Sequence, residues 1–334
     1  MKPAAWPREA PAEERLLHVD PGAGRFDDAR VGDLARFLRK GDLLVVNDAA
    51  TLPASLFATS SRGERVEIRL MGHASNGQWW AVVFGEGDWR TRTEDRPEPP
   101  SLAEGEMLRV GDELSARVAG ADGRFARLVF DRDGAALWRA LYRHGRPVQY
   151  AHLRAPLPLW HVQSRFASRP WAFEAPSAGR PLSWELLGEL RRTGVGIARI
   201  THAAGISSTG SDALDRRLPL PERSEVPAET VSRIRETQGR VVAVGTTVVR
   251  ALESRAARGQ LAPGVDDATL VIGPGFRPRV VSGVLSGMHP PGTSHFAVLE
   301  AFAPRALLER ALAHAERSGY LEHEFGDSCL VLPG

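Results

Sequence analysis

The stretch Gly239-Arg-Val-Val-Ala-Val-Gly-Thr-Thr-Val-Val-Arg-Ala-Leu-Glu253 decides how this chain folds. Its uninterrupted apolar run, Val241 to Val244, suits a strand covered on both faces, as in a parallel α/β sheet or barrel. Gly245 breaks the run. Thr246 and Thr247 are expected to cap a helix that begins near Val248 and carries Arg250 and Glu253. A strand, a tight turn and a helix in that order aim backbone N–H groups and two hydroxyls above the sheet. A carboxylate or phosphate would find unpaired donors and a partial positive charge there. A plain Thr-capped turn has the same sequence, because Gly-Thr-Thr lacks the lysine of a P-loop.

The same alternation runs outward in both directions. Leu16 to Val19 reads as a short strand, and Val31 to Leu38 as a helix capped by Asp33. Asp42 to Asp48 is a buried strand ending in Asn47 and Asp48, either as Asx-turn residues or at the carboxyl edge where α/β proteins keep their sites. On the far side, Ser183 caps a helix through Arg192, and Gly194 to Ile200 is a strand with Thr201-His202 as its turn. Ile206 to Pro227 is a long polar connection, and a helix opens at Pro227-Ala228. Ala268–Ile272 and Arg279–Val284 are expected as strands around Gly273-Pro-Gly275. Helices follow over 293–302 and 306–317, with a last strand at Cys329–Leu332. From Ala58 to Asp131 the texture changes to short alternating segments, which reads as an antiparallel β insertion with an exposed loop over Glu86–Glu106.

At 334 residues, with 43% hydrophobic and 25% charged residues, the chain can bury a substantial core. No apolar run approaches membrane length and the opening residues form no hydrophobic leader, so a cytoplasmic location is expected. The single cysteine, Cys329, excludes an internal disulfide and a Cys-cluster metal site. Of 43 basic residues only Lys2 and Lys40 are lysine, a bias that favours guanidinium recognition of phosphate or reflects coding composition.

No pair of histidines has metal-ligand spacing, so no metal is expected. The absence of Gly-x-Ser-x-Gly and Gly-x-Gly-x-x-Gly turns disfavours serine hydrolases and dinucleotide enzymes. What remains is a set of polar turns, each after a β-run: Asn47-Asp48, Thr201-His202, Gly245-Thr246-Thr247 and Met288-His289. At one end of a sheet or barrel they would converge on a pocket. His202 and His289 are the acid/base candidates, because imidazole titrates near neutral pH; structural hydrogen-bonded histidines would look the same. Between Tyr142 and Trp171, Arg143, Arg146, Arg154, Arg165 and Arg169 alternate with aromatic residues and no acid intervenes. That composition suits phosphate contacts and base stacking, and equally a proline-rich connector.

Several blocks resemble the S-adenosylmethionine:tRNA ribosyltransferase-isomerase family: Gly41–Asp48 with Leu52-Pro-Ala54, Ala175-Pro-Ser-Ala-Gly179, Arg240–Glu253, Gly273-Pro-Gly275, Met288-His-Pro290 and Phe325-Gly-Asp327. They occur in the family's order along nearly the whole chain. The resemblance implies an α/β fold, with a barrel-like α/β body (1–57 and 132–334) and an inserted antiparallel β-barrel domain (58–131). It implies transfer and isomerisation of the ribosyl part of S-adenosylmethionine onto a 7-aminomethyl-7-deazaguanine base in the tRNA anticodon, giving epoxyqueuosine with release of adenine and methionine. A monomer is expected.

On this resemblance Gly245, Thr246, Thr247 and Arg250 hold a carboxylate or other polar group of the donor. His202 and His289 share proton transfer, and Asn47, Asp48 and Asp327 orient hydroxyls. Gln163, Pro176, Ser177, Ala178, Gly179, Thr201 and Gly275 join the substrate contacts, and the five arginines from Arg143 to Arg169 face the acceptor. The chain departs from the family pattern where Pro-Thr-Ala-Gly-Leu-His-Phe-Thr becomes Pro176-Ser-Ala-Gly-Arg-Pro-Leu-Ser183, so Pro181 stands in place of a histidine. Departures of this kind leave open a relative that uses another acceptor, such as a free deazapurine nucleoside, or a silent nucleotide- or tRNA-binding relative.

Overall fold

The computed structural model describes residues 1–73 and 75–334. Its centre is a nine-stranded mixed sheet in the order Gly264–Ala268, Glu222–Val226, Gly196–His202, Leu43–Asn47, Val241–Val244, Gly283–Gly287, Ser328–Val331, Arg15–Asp20 and Arg25–Arg30. The four strands from Gly196–His202 to Gly283–Gly287 run parallel. The apolar runs of the two central strands, Leu43–Val46 and Val241–Val244, are continuous because alternate residues enter opposite cores. Leu43, Val45 and Ala243 meet the helices Ala228–Glu236, Thr246–Ala257 and Arg305–Arg317 on one face. Leu44, Val46, Val242 and Val244 meet the helix Trp184–Arg192 on the other.

The insertion is a closed barrel of six strands, Ser55–Thr59, Arg65–His73, Trp79–Phe84, Met107–Val110, Leu114–Asp122 and Phe125–Phe130. Closure leaves no free edge. The segment 86–106 is not simply the exposed loop expected of it: Arg96 folds back and is 2% exposed. With Arg69 it pairs with the buried Glu67, and its Nη2 donates to the carbonyls of Gly85 and Gly87 at 2.9 and 3.0 Å. One buried carboxylate thereby holds two buried guanidinium groups, which a reading of composition alone does not reveal.

Other elements shift for identifiable reasons. Thr246 and Thr247 do not cap the helix. It starts at Thr246, and Gly245 occupies the N-cap with φ +94°, a left-handed conformation that favours glycine. Asp33 is not an N-cap but the third residue of a 3₁₀ segment, Val31–Arg36, where it accepts the Arg30 amide. Residues 269–272 and 279–282 lie outside the strands expected there, because side chains of the helix Thr246–Ala257 satisfy their backbones instead. The Leu270 amide donates to Ser254 Oγ at 3.0 Å, and its carbonyl accepts from Arg250 Nε at 2.9 Å. The amides of Arg279, Val280 and Val281 all donate to the fully buried carboxylate of Glu253, at 2.8, 2.9 and 2.9 Å. The connection 206–227 contains an unanticipated sheet strand, Glu222–Val226.

Glu253→Ala should lower the unfolding free energy by about 3 kcal/mol or more, since three amides lose their acceptor at about 1–3 kcal/mol each. Urea denaturation with an unchanged slope would report it. A loss below about 1 kcal/mol would mean that those amides find other partners.

Candidate functional site

The carboxyl ends of the parallel strands gather Asn47, His202, Gly245 and the Gly287–His289 segment along one margin of the sheet. There a cleft of about 330 Å³ opens between the turn Ser177–Gly179, the start of the helix Thr246–Ala257 and the segment before Ser294–Leu299. Gly245, Thr246 and Thr247 line its floor. The first amides of a 12-residue helix have no intrahelical acceptor, so this floor presents N–H groups and a positive dipole end. Pro176, Ser177 and Ala178 form the facing wall, and a Cβ on Gly245 would sit 3.5 Å from that of Ala178. Gly179 is buried behind the wall against the Phe166 ring.

Glu222 enters the cleft from the strand beside His202. It accepts from Gly205 N at 2.6 Å, pairs with His202 Nε2 at 2.8 Å and is bound by Arg250. Burial opposes its charge, but the bond and charge of His202, with Arg250 and the Gly205 amide, hold its pKa below the ordinary carboxylate value. His202 is 0% exposed and is not part of the cleft lining; it acts on the cleft only through Glu222. The expectation that Arg250 holds a substrate carboxylate meets a geometric obstacle. Its Nη2 donates to Leu220 O and Ala268 O at 2.7 and 2.9 Å and its Nε to Leu270 O, while Nη1 meets Glu222. Arg250 therefore borders the cleft with its donors already engaged.

His289 lies on the opposite side, bonded through Nε2 to Ser286 Oγ at 2.9 Å and stacked on His295 with ring centroids 4.7 Å apart. Burial, reinforced by the neighbouring histidines, lowers its pKa well below the usual imidazole value, so it is neutral at physiological pH. A neutral imidazole beside a hydroxyl can relay a proton or accept one from a substrate OH.

The remaining expected residues fall into two groups. Asn47 joins the strands behind the cleft: Oδ1 accepts from His202 N at 2.9 Å, and Nδ2 donates to His202 O at 3.0 Å and to Thr247 Oγ1 at 3.4 Å. Asp48 accepts from Thr201 Oγ1 at 2.5 Å and Ser168 Oγ at 3.0 Å, outside the lining. Gln163 clips Thr51 through both amide atoms at 2.9 Å. Asp327 accepts from Arg8 Nη2, Arg15 N and Leu321 N at 2.7, 3.0 and 2.8 Å, again outside the cleft. Gly275 is likewise outside it, and Gly273 lines the cleft instead. Of the five arginines, Arg143 pairs with Glu113 and Arg169 with Glu225. Arg154 stacks over Trp6, Arg165 is exposed, and the backbone of Arg146 bridges Ser55.

Sequence reasoning missed Glu174, Glu222 and His295. Glu174 closes one end of the cleft and accepts a hydrogen bond from Tyr150 Oη. Burial pushes its carboxyl up to about 7 and raises the Tyr150 phenol well above its usual range. Its position directly before the Ala175–Gly179 block was the available signal. Glu222 had none, because it sits in a connection read as polar loop.

The chain matches the model of the family described as "Queuosine biosynthesis protein" over residues 2–331. It is 33% identical to the S-adenosylmethionine:tRNA ribosyltransferase-isomerase of Azoarcus sp. (strain BH72), covering 97% of this chain and 93% of that one. It is 34% identical to the enzyme of the same name from Synechococcus sp. (strain ATCC 27144 / PCC 6301 / SAUG 1402/1), covering 97% and 90%. A crystal structure of S-adenosylmethionine tRNA ribosyltransferase from Thermotoga maritima superposes with a TM-score of 0.55 at 26% identity, covering 99% of this chain and 96% of that one.

The His289 ring protons should show no titration between pH 6 and 8 in NMR spectra, because burial keeps the imidazole neutral throughout that range. A titration centred near 6.5, the ordinary histidine value, would show that the ring is solvated.

Proposed function

We propose, for a chain that belongs to the queuosine biosynthesis protein family, that this cleft is the seat of ribosyl transfer and isomerisation from S-adenosylmethionine to a 7-aminomethyl-7-deazaguanine base in tRNA. The observation that carries the assignment is the convergence, in one cleft, of a helix N-terminus, the Glu222–His202–Arg250 cluster, neutral His289 and Glu174. The chain is thus an S-adenosylmethionine-dependent ribosyltransferase-isomerase that releases adenine and methionine and uses the donor as a co-substrate.

The geometry supports the following roles. The donor's amino-acid carboxylate binds at the amides of Thr246 and Thr247, where the helix dipole favours an anion, and Arg250 shapes that floor by holding Glu222 and the adjoining carbonyls. Glu222 accepts hydrogen bonds from ribose hydroxyls. His289, neutral and paired with Ser286, exchanges a proton at the ribose or the departing adenine. The acceptor's primary amine is protonated near neutral pH, as alkylamines are, and must lose a proton before it can attack. Glu174, a carboxyl of pKa about 7 at the cleft end, takes that proton. The body carries the donor, and the barrel, which begins at Ser55 rather than at residue 58, flanks the acceptor.

Purified protein with S-adenosylmethionine and tRNA bearing 7-aminomethyl-7-deazaguanine should release adenine and methionine. Donor binding without adenine release would overturn the reading. With the wild type, turnover should rise with pH through about 7 as the Glu174 carboxylate forms. Glu174→Gln should lower kcat by about 100-fold or more and abolish that limb, with the donor KM little changed. A limb that persists in the Gln variant would remove Glu174 from the proton path.

A further inference from the structure

A second and larger cavity, about 630 Å³, lies in the seam between the barrel, the helix Gly134–His144, the strand Arg169–Ala172 and the connection leading to Glu222. Its walls are unusually rich in flat aromatic groups: Trp80 and Phe125 from the barrel, Trp138 from the helix, and Trp171 and Phe173 from the strand and its end. Trp80 is 41% exposed, which is costly for an indole unless something covers it. Two arginines reach the cavity from the connection. The Arg223 guanidinium stacks on the Trp171 ring at 3.9 Å, and that of Arg217 stands 5.2 Å from the Phe125 ring. Neither has a carboxylate within 4 Å among the described residues, in contrast to Arg143 and Arg169. Glu222 lines both this cavity and the donor cleft, so the two spaces share a wall.

We propose that this seam cavity receives one unstacked nucleobase of the RNA acceptor, a neighbour of the reacting base, with its phosphate held by Arg217 and Arg223. The inference rests on the reading that the acceptor is an RNA. Planar walls at a site that also offers two unpaired cations suit a nucleotide. The rings stack on either face of a base, and the guanidinium groups take the phosphate that an apolar or peptide ligand would lack. The shared wall adds a geometric reason. A base presented to the donor cleft must leave its stack, and its neighbour is then left unstacked within reach of the seam. Because stacking is indifferent to base identity, the cavity supplies affinity and register rather than sequence choice.

The test uses the full-length protein and an anticodon stem-loop RNA with guanine at the target position, alone or with an abasic nucleotide on one or the other side of it. Wild-type protein should bind one of the two abasic RNAs about tenfold more weakly than the intact RNA. Trp171→Ala should bind the intact RNA about tenfold more weakly and be indifferent to that abasic site. Arg217→Ala and Arg223→Ala should each reduce the salt slope of binding by about one unit, a readout independent of how the tryptophan variant folds. Equal binding of intact and abasic RNAs by the wild type, or an unchanged salt slope in both arginine variants, overturns this inference alone. Failure to bind any of the RNAs overturns the RNA-acceptor reading together with it.

Discussion

The site depends on a single half-buried carboxylate. Glu222 receives the Gly205 amide, His202 Nε2 and the Arg250 guanidinium, and each partner belongs to a different element. Arg250 in turn binds the carbonyls of Leu220, Ala268 and Leu270, so removing the acid would strand a cation among carbonyls that cannot neutralise it. Such a cluster is stable only if every member is satisfied, because an unpaired charge away from water costs more than the pair contributes. The arrangement fixes the strand Glu222–Val226 between Gly196–His202 and the edge strand Gly264–Ala268, and with it the wall between the cleft and the seam cavity.

The helix Thr246–Ala257 acts in the same way on both sides. Arg250 donates to the Leu270 carbonyl in the segment that follows the helix, and Glu253 collects three amides of the segment leading into Gly283–Gly287. Loops held by buried side chains rather than by strand pairing are as well defined as strands. That is why two stretches with strand-like sequences are not strands, and why the cleft can be lined by irregular backbone without being loose. The turn that walls the cleft is held by similar means. Arg180, directly after it, pairs with the buried Glu14 and stacks on Phe325. Burial pushes the Glu14 carboxyl up to about 7, so this pair is a second acidic group poised near neutrality, on the far side of the turn that walls the cleft.

The insertion contributes more than bulk. Its outer surface, through Met71, Val82, Phe84 and Phe125, packs on Ile206, Leu214 and Leu220 of the connection, so barrel and body share a hydrophobic contact beside the seam. The connection therefore both covers the barrel and brings Glu222, Arg217 and Arg223 to the walls of the cleft and the seam cavity.

Much of this was legible in the residues. Continuous apolar runs ending in Asn47-Asp48 and Gly245-Thr-Thr required strands buried on both faces, and parallel pairing necessarily aligns their carboxyl ends. The ordered blocks identified the family. Periodicity could not tell which polar side chains face the cleft, because that depends on partners distant in sequence. Asp327 is taken by Arg8 and Arg15, and Asp48 by Thr201 and Ser168, away from the cleft, whereas Glu174 and Glu222 line it even though each has protein partners. The sequence by itself determined the central strands of the sheet and the end of it at which the polar turns gather. Only tertiary packing decided which charges are spent on holding that end together and which remain free to act, since a buried ionisable group must be satisfied by whatever the fold brings to it.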